Sequence, residues 1–197
     1  MNLTKKKLTK EKMKSACVYT DRYEWWLKNC YGLEIDEQFL KLSDHNFNWA
    51  NHTICELMNG KQRAMYAIFS AKQVLALAGE RKDVALQAIE AAEKFLKQPS
   101  QKNGWAVDRT AHKAHLSTHG ACVNINGDPW DLGDAPLHAA SEAAEAAGSY
   151  SSSYVGAASD AASYAIDGCL PVFKKDMELK IIKYGITFIR QDYENTN

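Results

Sequence analysis

The sequence predicts an all-α protein, a single domain of stacked antiparallel helical hairpins with one long loop near residues 120–136. Three observations predict it. Apolar residues recur at steps of three and four through most of the 197 residues, the period of helices buried on one side. Runs that alternate with period two, the mark of half-buried strands, are nearly absent. Alanine pairs recur between Ala139 and Ile166. Alanine favours helix and lets two helix axes approach to about 8 Å.

Residues 1–15 carry Lys5, Lys6, Lys7, Lys10, Lys12 and Lys14 and read as a solvated N-terminal tail or helix. No apolar run follows the first lysines, so they do not open a secretory signal. Asp21 and Glu24 form an N-cap pair ahead of Trp25, Trp26, Leu27 and Tyr31, and Gly32 ends that helix. Adjacent residues point about 100° apart on a helix, so one of Trp25 and Trp26 belongs to the core and the other is partly exposed. A second helix starts at Ser43 and carries Phe47, Ala50, Ile54 and Leu57-Met58 up to Asn59-Gly60. Ala64, Ile68, Ala71, Leu75 and Ala78 form the stripe of a third, ended by Gly79. Ala85, Ala88-Ile89, Ala92 and Phe95-Leu96 mark a fourth, closed by Pro99-Ser100.

Gly120, Asn124, Asn126-Gly127-Asp128-Pro129, Gly133 and Pro136 are turn chemistry. A loop of that length inside a compact domain usually carries function. Two alanine-striped helices follow, joined by a turn at Ser149 to Ser153. The last helix, about Lys174 to Gln191, has Leu179, Ile181, Ile182, Tyr184, Ile186, Phe188 and Ile189 around much of its girth, which predicts that it is largely buried.

Composition narrows the function. Hydrophobic residues make up 46% and charged residues 24%, the balance of a globular chain. Lys+Arg and Asp+Glu are both 24, and a neutral chain lacks the basic surface that displaces phosphate counterions from nucleic acid. No run approaches the roughly 20 apolar residues of a membrane span. Cys17, Cys30, Cys55, Cys122 and Cys169 are odd in number and widely spaced, which fits reduced thiols in a cytoplasmic protein.

The stretch from Asp44 to Phe95, with the alanine-paired helices beyond it, resembles a family of bacterial immunity proteins from polymorphic toxin systems. The residues that carry the resemblance are Trp49-Ala50, Cys55-Glu56-Leu57, and Gln62-Arg63-Ala64 with Ala67, Ala71, Val74 and Leu75. It continues in Ala88-Ile89-Glu90-Ala91-Ala92-Glu93 and in the alanine pairs from Ala139 to Ala165. The loop from Asp128 to Asp134 is not part of that pattern. The resemblance implies a helical protein that neutralises a cognate toxin by direct binding. It supplies no catalytic residues.

Two constellations are candidates for a site. Asp108, His112, His115 and His119 follow one another at steps of four, three and four, which puts them on one helical face. Imidazoles with a carboxylate suit zinc, nickel or ferrous iron. Only adjacent turns can share one ion, so His115 would act with His112 or His119, and Cys122 or His138 would complete the shell. A polar helix face with ordinary histidines is the plainer reading. The second constellation is the loop of Asp128, Trp130, Asp131 and Asp134. Its carboxylates suit a basic partner, and a tryptophan is a common binding anchor. The plainer reading has Trp130 folded inward and Asp134 capping the helix near Pro136.

Asp44, His45 and His52 have the residue types of an acid–base set, but a helix start with solvent-facing polar groups explains them more simply. No H-E-x-x-H, G-x-S-x-G, Walker A or G-x-G-x-x-G motif occurs. The expectation is a protein-binding module that needs no cofactor, and the balance of motifs leans away from an enzyme without deciding it. A small metal-binding helical protein or metal-dependent enzyme, holding a divalent transition metal on the histidine face, is the alternative, and a structural homo-oligomer is the second.

Overall fold

The structure, a computed structural model, describes residues 7–17, 19–119, 134–149, 155–169 and 171–195, with backbone alone for His119 and residues 193–195. All regular structure among the described residues is helical, as the periodicity predicts. Contacts divide the chain into two compact units. One comprises the residues up to Met58 and those from Glu178 onward, the other Asn59–Met177.

The first unit holds α1 (Lys10–Ala16), α2 (Thr20–Asn29), α3 (Ile35–His45), α4 (Phe47–Leu57) and the larger part of α10 (Pro171–Asn195). Within the lysine-rich start, residues 10–15 are helical and only half solvated, and residues 1–6 lie outside the described residues. Lys10, Lys12 and Lys14 are exposed, while Leu8, Met13 and Ala16 are buried. α2 starts one residue before Asp21, and its chain leaves through Gly32 at φ 90°, a conformation that costs glycine least. Trp26 is buried and its indole N–H donates to Gln38 Oε1 at 2.9 Å, while Trp25 is partly exposed.

The start expected at Ser43 is displaced. Ser43 is a buried residue inside α3, and α4 begins after Asn46, whose Oδ1 accepts from the Trp49 N–H at 3.1 Å. Asn caps well because its short side chain reaches the exposed amides of the first turn. α3 and α4 pack on each other, and α1 packs on α2 and α4.

α10 corrects another expectation. Its apolar residues are not wrapped on all sides. Ile181, Ile182, Ile186, Phe188 and Ile189 are buried, but Lys183, Thr187 and Arg190 between them are exposed, and so are residues 171–176. Steps of one, four, two and one confine burial to a single face.

In the second unit, α5 (Gly60–Val74) leads through a 3₁₀ turn (Leu75–Arg81) into α6 (Lys82–Lys97), followed by α7 (Gln101–His119), α8 (Ala135–Gly148) and α9 (Gly156–Asp167). α5 opens on a capping box. The Gln62 N–H donates to Asn59 Oδ1 at 3.0 Å and the Asn59 N–H to Gln62 Oε1 at 2.8 Å. The α-helix stops at Val74, before Leu75 and Ala78, and Gly79 at φ 56° turns the chain. The helix with the widest buried face is α8, and only the side of His138, Glu142 and Glu145 is open. It packs against α5, α6, α7 and α9, and Leu137, Ala139, Ala140, Ala143, Ala144, Ala146 and Ala147 are all buried. A helix with so wide an apolar face needs neighbours over most of its girth, and alanine keeps those neighbours close. Its buried Ser141 is satisfied, donating from Oγ to the Ala111 carbonyl of α7 at 3.1 Å. The loop expected over residues 120–136 gives way to α8 at Ala135, and its remainder up to Gly133 lies outside the described residues.

Candidate functional site

The sequence presents α7 with two faces. Ser100 starts it, accepting from the Asn103 N–H at 3.2 Å. Asn103, Val107, Ala111, Ala114 and Thr118 are buried, at steps of four, four, three and four, toward the α6 and α8 neighbours. The opposite face carries Trp105, Arg109, His112 and Leu116, again at helical spacing. Trp105 is 61% exposed and Leu116 55%, and Arg109 and His112 between them are exposed as well. Two large apolar side chains therefore stand on the outside of a helix whose core face is already filled.

Of the histidine constellation, Asp108, His112 and His115 all lie exposed on α7, and the side chain of His119 lies outside the described residues. His112 belongs to the outer face. The ring of His115 meets that of His138 on α8, edge to face with centroids 6.0 Å apart. His138 in turn stacks on Tyr164 of α9, at 4.8 Å and 20°. Among the described residues no three His, Cys, Asp or Glu side chains converge in a way that could hold a metal ion. The described geometry offers a His115–His138 pair, and Cys122 lies outside the described residues.

One turn along α8 from His138, the carboxyl of Glu142 is half-buried beside two other acids. Burial pushes its pKa up to about 7, and the negative charges of Glu145 and Asp160 add to the rise. Burial also raises the Tyr164 phenol, helped by Glu142, Asp160 and Asp167. The α8–α9 seam is thus acidic, with an aromatic ladder along its edge.

Asp128, Trp130 and Asp131 of the acidic-loop constellation lie outside the described residues. Asp134 does not serve as the open surface carboxylate expected of it. It is 6% exposed, and its Oδ1 accepts from Arg81 Nη1, which also donates to the Ser117 carbonyl at 3.1 Å. Asp134 stands at the N-cap position of α8 without a side-chain capping bond. A nearby guanidinium outcompetes the neutral amides for the carboxylate, because ionised donors make the stronger hydrogen bond.

In the Asp44, His45 and His52 set, the two histidine rings have different aromatic and acidic neighbours. His45 stacks on Trp25 at 4.1 Å and meets Trp49 edge to face at 5.2 Å, while His52 Nδ1 lies 4.0 Å from Glu56. Cys17, Cys30, Cys55 and Cys169 are buried and outside any disulfide, and burial pushes the Cys30 thiol up to about 11. Buried thiols of raised pKa make poor nucleophiles.

Trp105, Leu116 and Glu142 were not singled out by sequence reasoning. The first two follow the same 3.6-residue period as the core stripe of α7, but only the packing shows which stripe faces outward. Among the described residues no helix is long and apolar enough to cross a membrane. Comparison of the chain with family models, curated proteins and solved structures finds no match.

Proposed function

We propose that this chain is a protein-binding module, an immunity protein that neutralises a cognate bacterial toxin by direct binding through the outer face of α7. The observation that carries the reading is the exposed row of Trp105, Arg109, His112 and Leu116. Tryptophan and arginine are the residue types that most often dominate binding energy at protein interfaces. An amphipathic helix face with anchors at such spacing is a recurring recognition mode. The acidic α8–α9 seam of the same unit, with Glu145, Asp160 and Asp167 exposed, favours a basic partner such as a nuclease, through electrostatic steering. The resemblance between Asp44 and Ala165 supports the toxin class of partner.

The test is co-expression with a candidate toxin. The wild type restores growth, and Trp105→Ala with Leu116→Ala, at exposed positions that leave helicity unchanged, fails to do so. Equal protection by the double variant would remove α7 from the reading.

The His115–His138 pair gives the metal reading its one specific support. If a metal is held there, elemental analysis of the purified protein finds near-stoichiometric zinc, nickel or iron that is lost on His115→Ala. Metal-free, fully folded protein would end it.

A further inference from the structure

Arg22 lies in the first turn of α2 and is 5% exposed, yet its Nε and Nη1 are buried with no hydrogen-bond partner. Side chains on a helix lean toward its N-terminus, and this one does. Its guanidinium carbon sits 5.4 Å from the ring of Tyr19, the residue just before the helix, and 5.9 Å from the ring of Trp49 on α4. No side chain caps the helix at Tyr19. The positive end of the helix dipole and a guanidinium thus stand together.

The neighbouring groups do not neutralise that charge. The carboxylate of Asp21 accepts from the backbone N–H of Arg22 at 2.8 Å, not from the guanidinium. Burial pushes the Cys17 thiol up despite the pull of Arg22 and a hydrogen bond with Thr53, so the thiol stays uncharged at neutral pH. The two rings offset part of the cost through cation–π attraction. They accept no hydrogen bond in the plane of the guanidinium, where its donors point.

We propose that the N-terminus of α2 is an anion site in which Arg22, between Tyr19 and Trp49, receives a small carboxylate. The full charge of Arg22 and about half a charge from the helix end, set against the carboxylate of the adjacent Asp21, leave a net positive site that favours a monoanion over a dianion such as phosphate. Planar carboxylates also suit the guanidinium fork. The entry proposed runs past Tyr19, which is 61% exposed and has its ring next to the guanidinium. Exposed side chains change rotamer on the picosecond-to-nanosecond scale, so the Tyr19 ring does not bar a ligand of a few atoms. The site lies in the first unit and stands apart from the α7 reading.

The experiment titrates the full chain with sodium acetate, and in parallel with sodium chloride and inorganic phosphate at constant ionic strength. The Nε–H of Arg22 and the indole N–H of Trp49 are followed by NMR, with the thermal midpoint beside them. The proposal expects saturable acetate shifts at both resonances, a weaker response to phosphate, and none to chloride. Arg22→Lys, which keeps the charge but loses the fork, should weaken the acetate response at Trp49 roughly tenfold. Arg22→Met should abolish it. A wild-type acetate response no different from that to chloride would overturn the proposal without any variant. A stronger response to phosphate than to acetate would overturn the carboxylate assignment, and unaltered acetate binding in folded Arg22→Met would overturn the role of Arg22.

Discussion

Glu142 is the side chain whose chemistry the fold alters most visibly. Its carboxyl is pushed up to about 7 by burial and by Glu145 and Asp160, so the folded protein holds a proton there that the unfolded chain releases near the ordinary carboxylate range. The native state therefore binds more protons than the unfolded state between roughly pH 4.5 and 7, and stability falls as pH rises through that window. Below it and above it this group adds no slope. Glu142→Gln, which stays neutral, should flatten the decline and raise stability above pH 7 by on the order of 1–2 kcal/mol, allowing for the partial exposure of the group. Urea midpoints measured from pH 4.5 to 8 decide this, and parallel curves for the two proteins would contradict it.

Asp134 gives a second prediction at the same scale. Its buried carboxylate holds Arg81 against the Ser117 carbonyl, so Asp134→Asn leaves the guanidinium short of a charged acceptor. The cost should be about 1–3 kcal/mol, read as a lower denaturation midpoint. An unchanged midpoint would show that the pair is not needed. The sequence did mark Asp134 as notable, but it could not show the partner, because Arg81 lies far away along the chain and only the packing of the 3₁₀ turn beside α8 brings the two together.

At the scale of elements, α8 explains the second unit. Its alanines are all buried, and the chain spends few large side chains there because four helices need to come close. The junction with α9 is equally tight. A Cβ placed on Gly168 would stand 2.9 Å from the Cβ of Ala135, too close for two methyl groups. Gly168→Ala should cost about 1–3 kcal/mol by overpacking, measured as a drop in thermal midpoint with helicity kept in the native state. A neutral or stabilising outcome would mean that the two helix ends shift apart freely.

How legible the elements were depended on what each signal measures. Asn59-Gly60, Gly79 and Pro99-Ser100 are local chemistry, and the structure has turns or helix ends at all of them. α3 escaped notice although Ile35, Phe39 and Leu42 are buried at helical spacing, because Ser43 resembles an N-cap and drew the start of α4 back into α3, ahead of its true cap at Asn46. α10 reads as wrapped and is one-sided, because a count of apolar residues does not give their direction around the axis. The candidate site was legible in part. The residues of α7 at 108, 112 and 115 share its solvent side, but the sequence could not tell a converging set from an outward row. That distinction is tertiary.

At the scale of the molecule, the function proposed here asks α7 to do two jobs, filling the second unit from within and presenting anchors outside. Binding energy at such surfaces concentrates in a few large side chains, so Trp105 should matter far more than the exposed lysines around it. The most direct measurement is the dissociation constant for the captured toxin, compared among the wild type, Trp105→Ala and Lys113→Ala. The proposal predicts a loss of about 2 kcal/mol or more, roughly thirtyfold, for Trp105→Ala, with Lys113→Ala near wild type and all three equally folded. Equal affinity for the wild type and Trp105→Ala would contradict it.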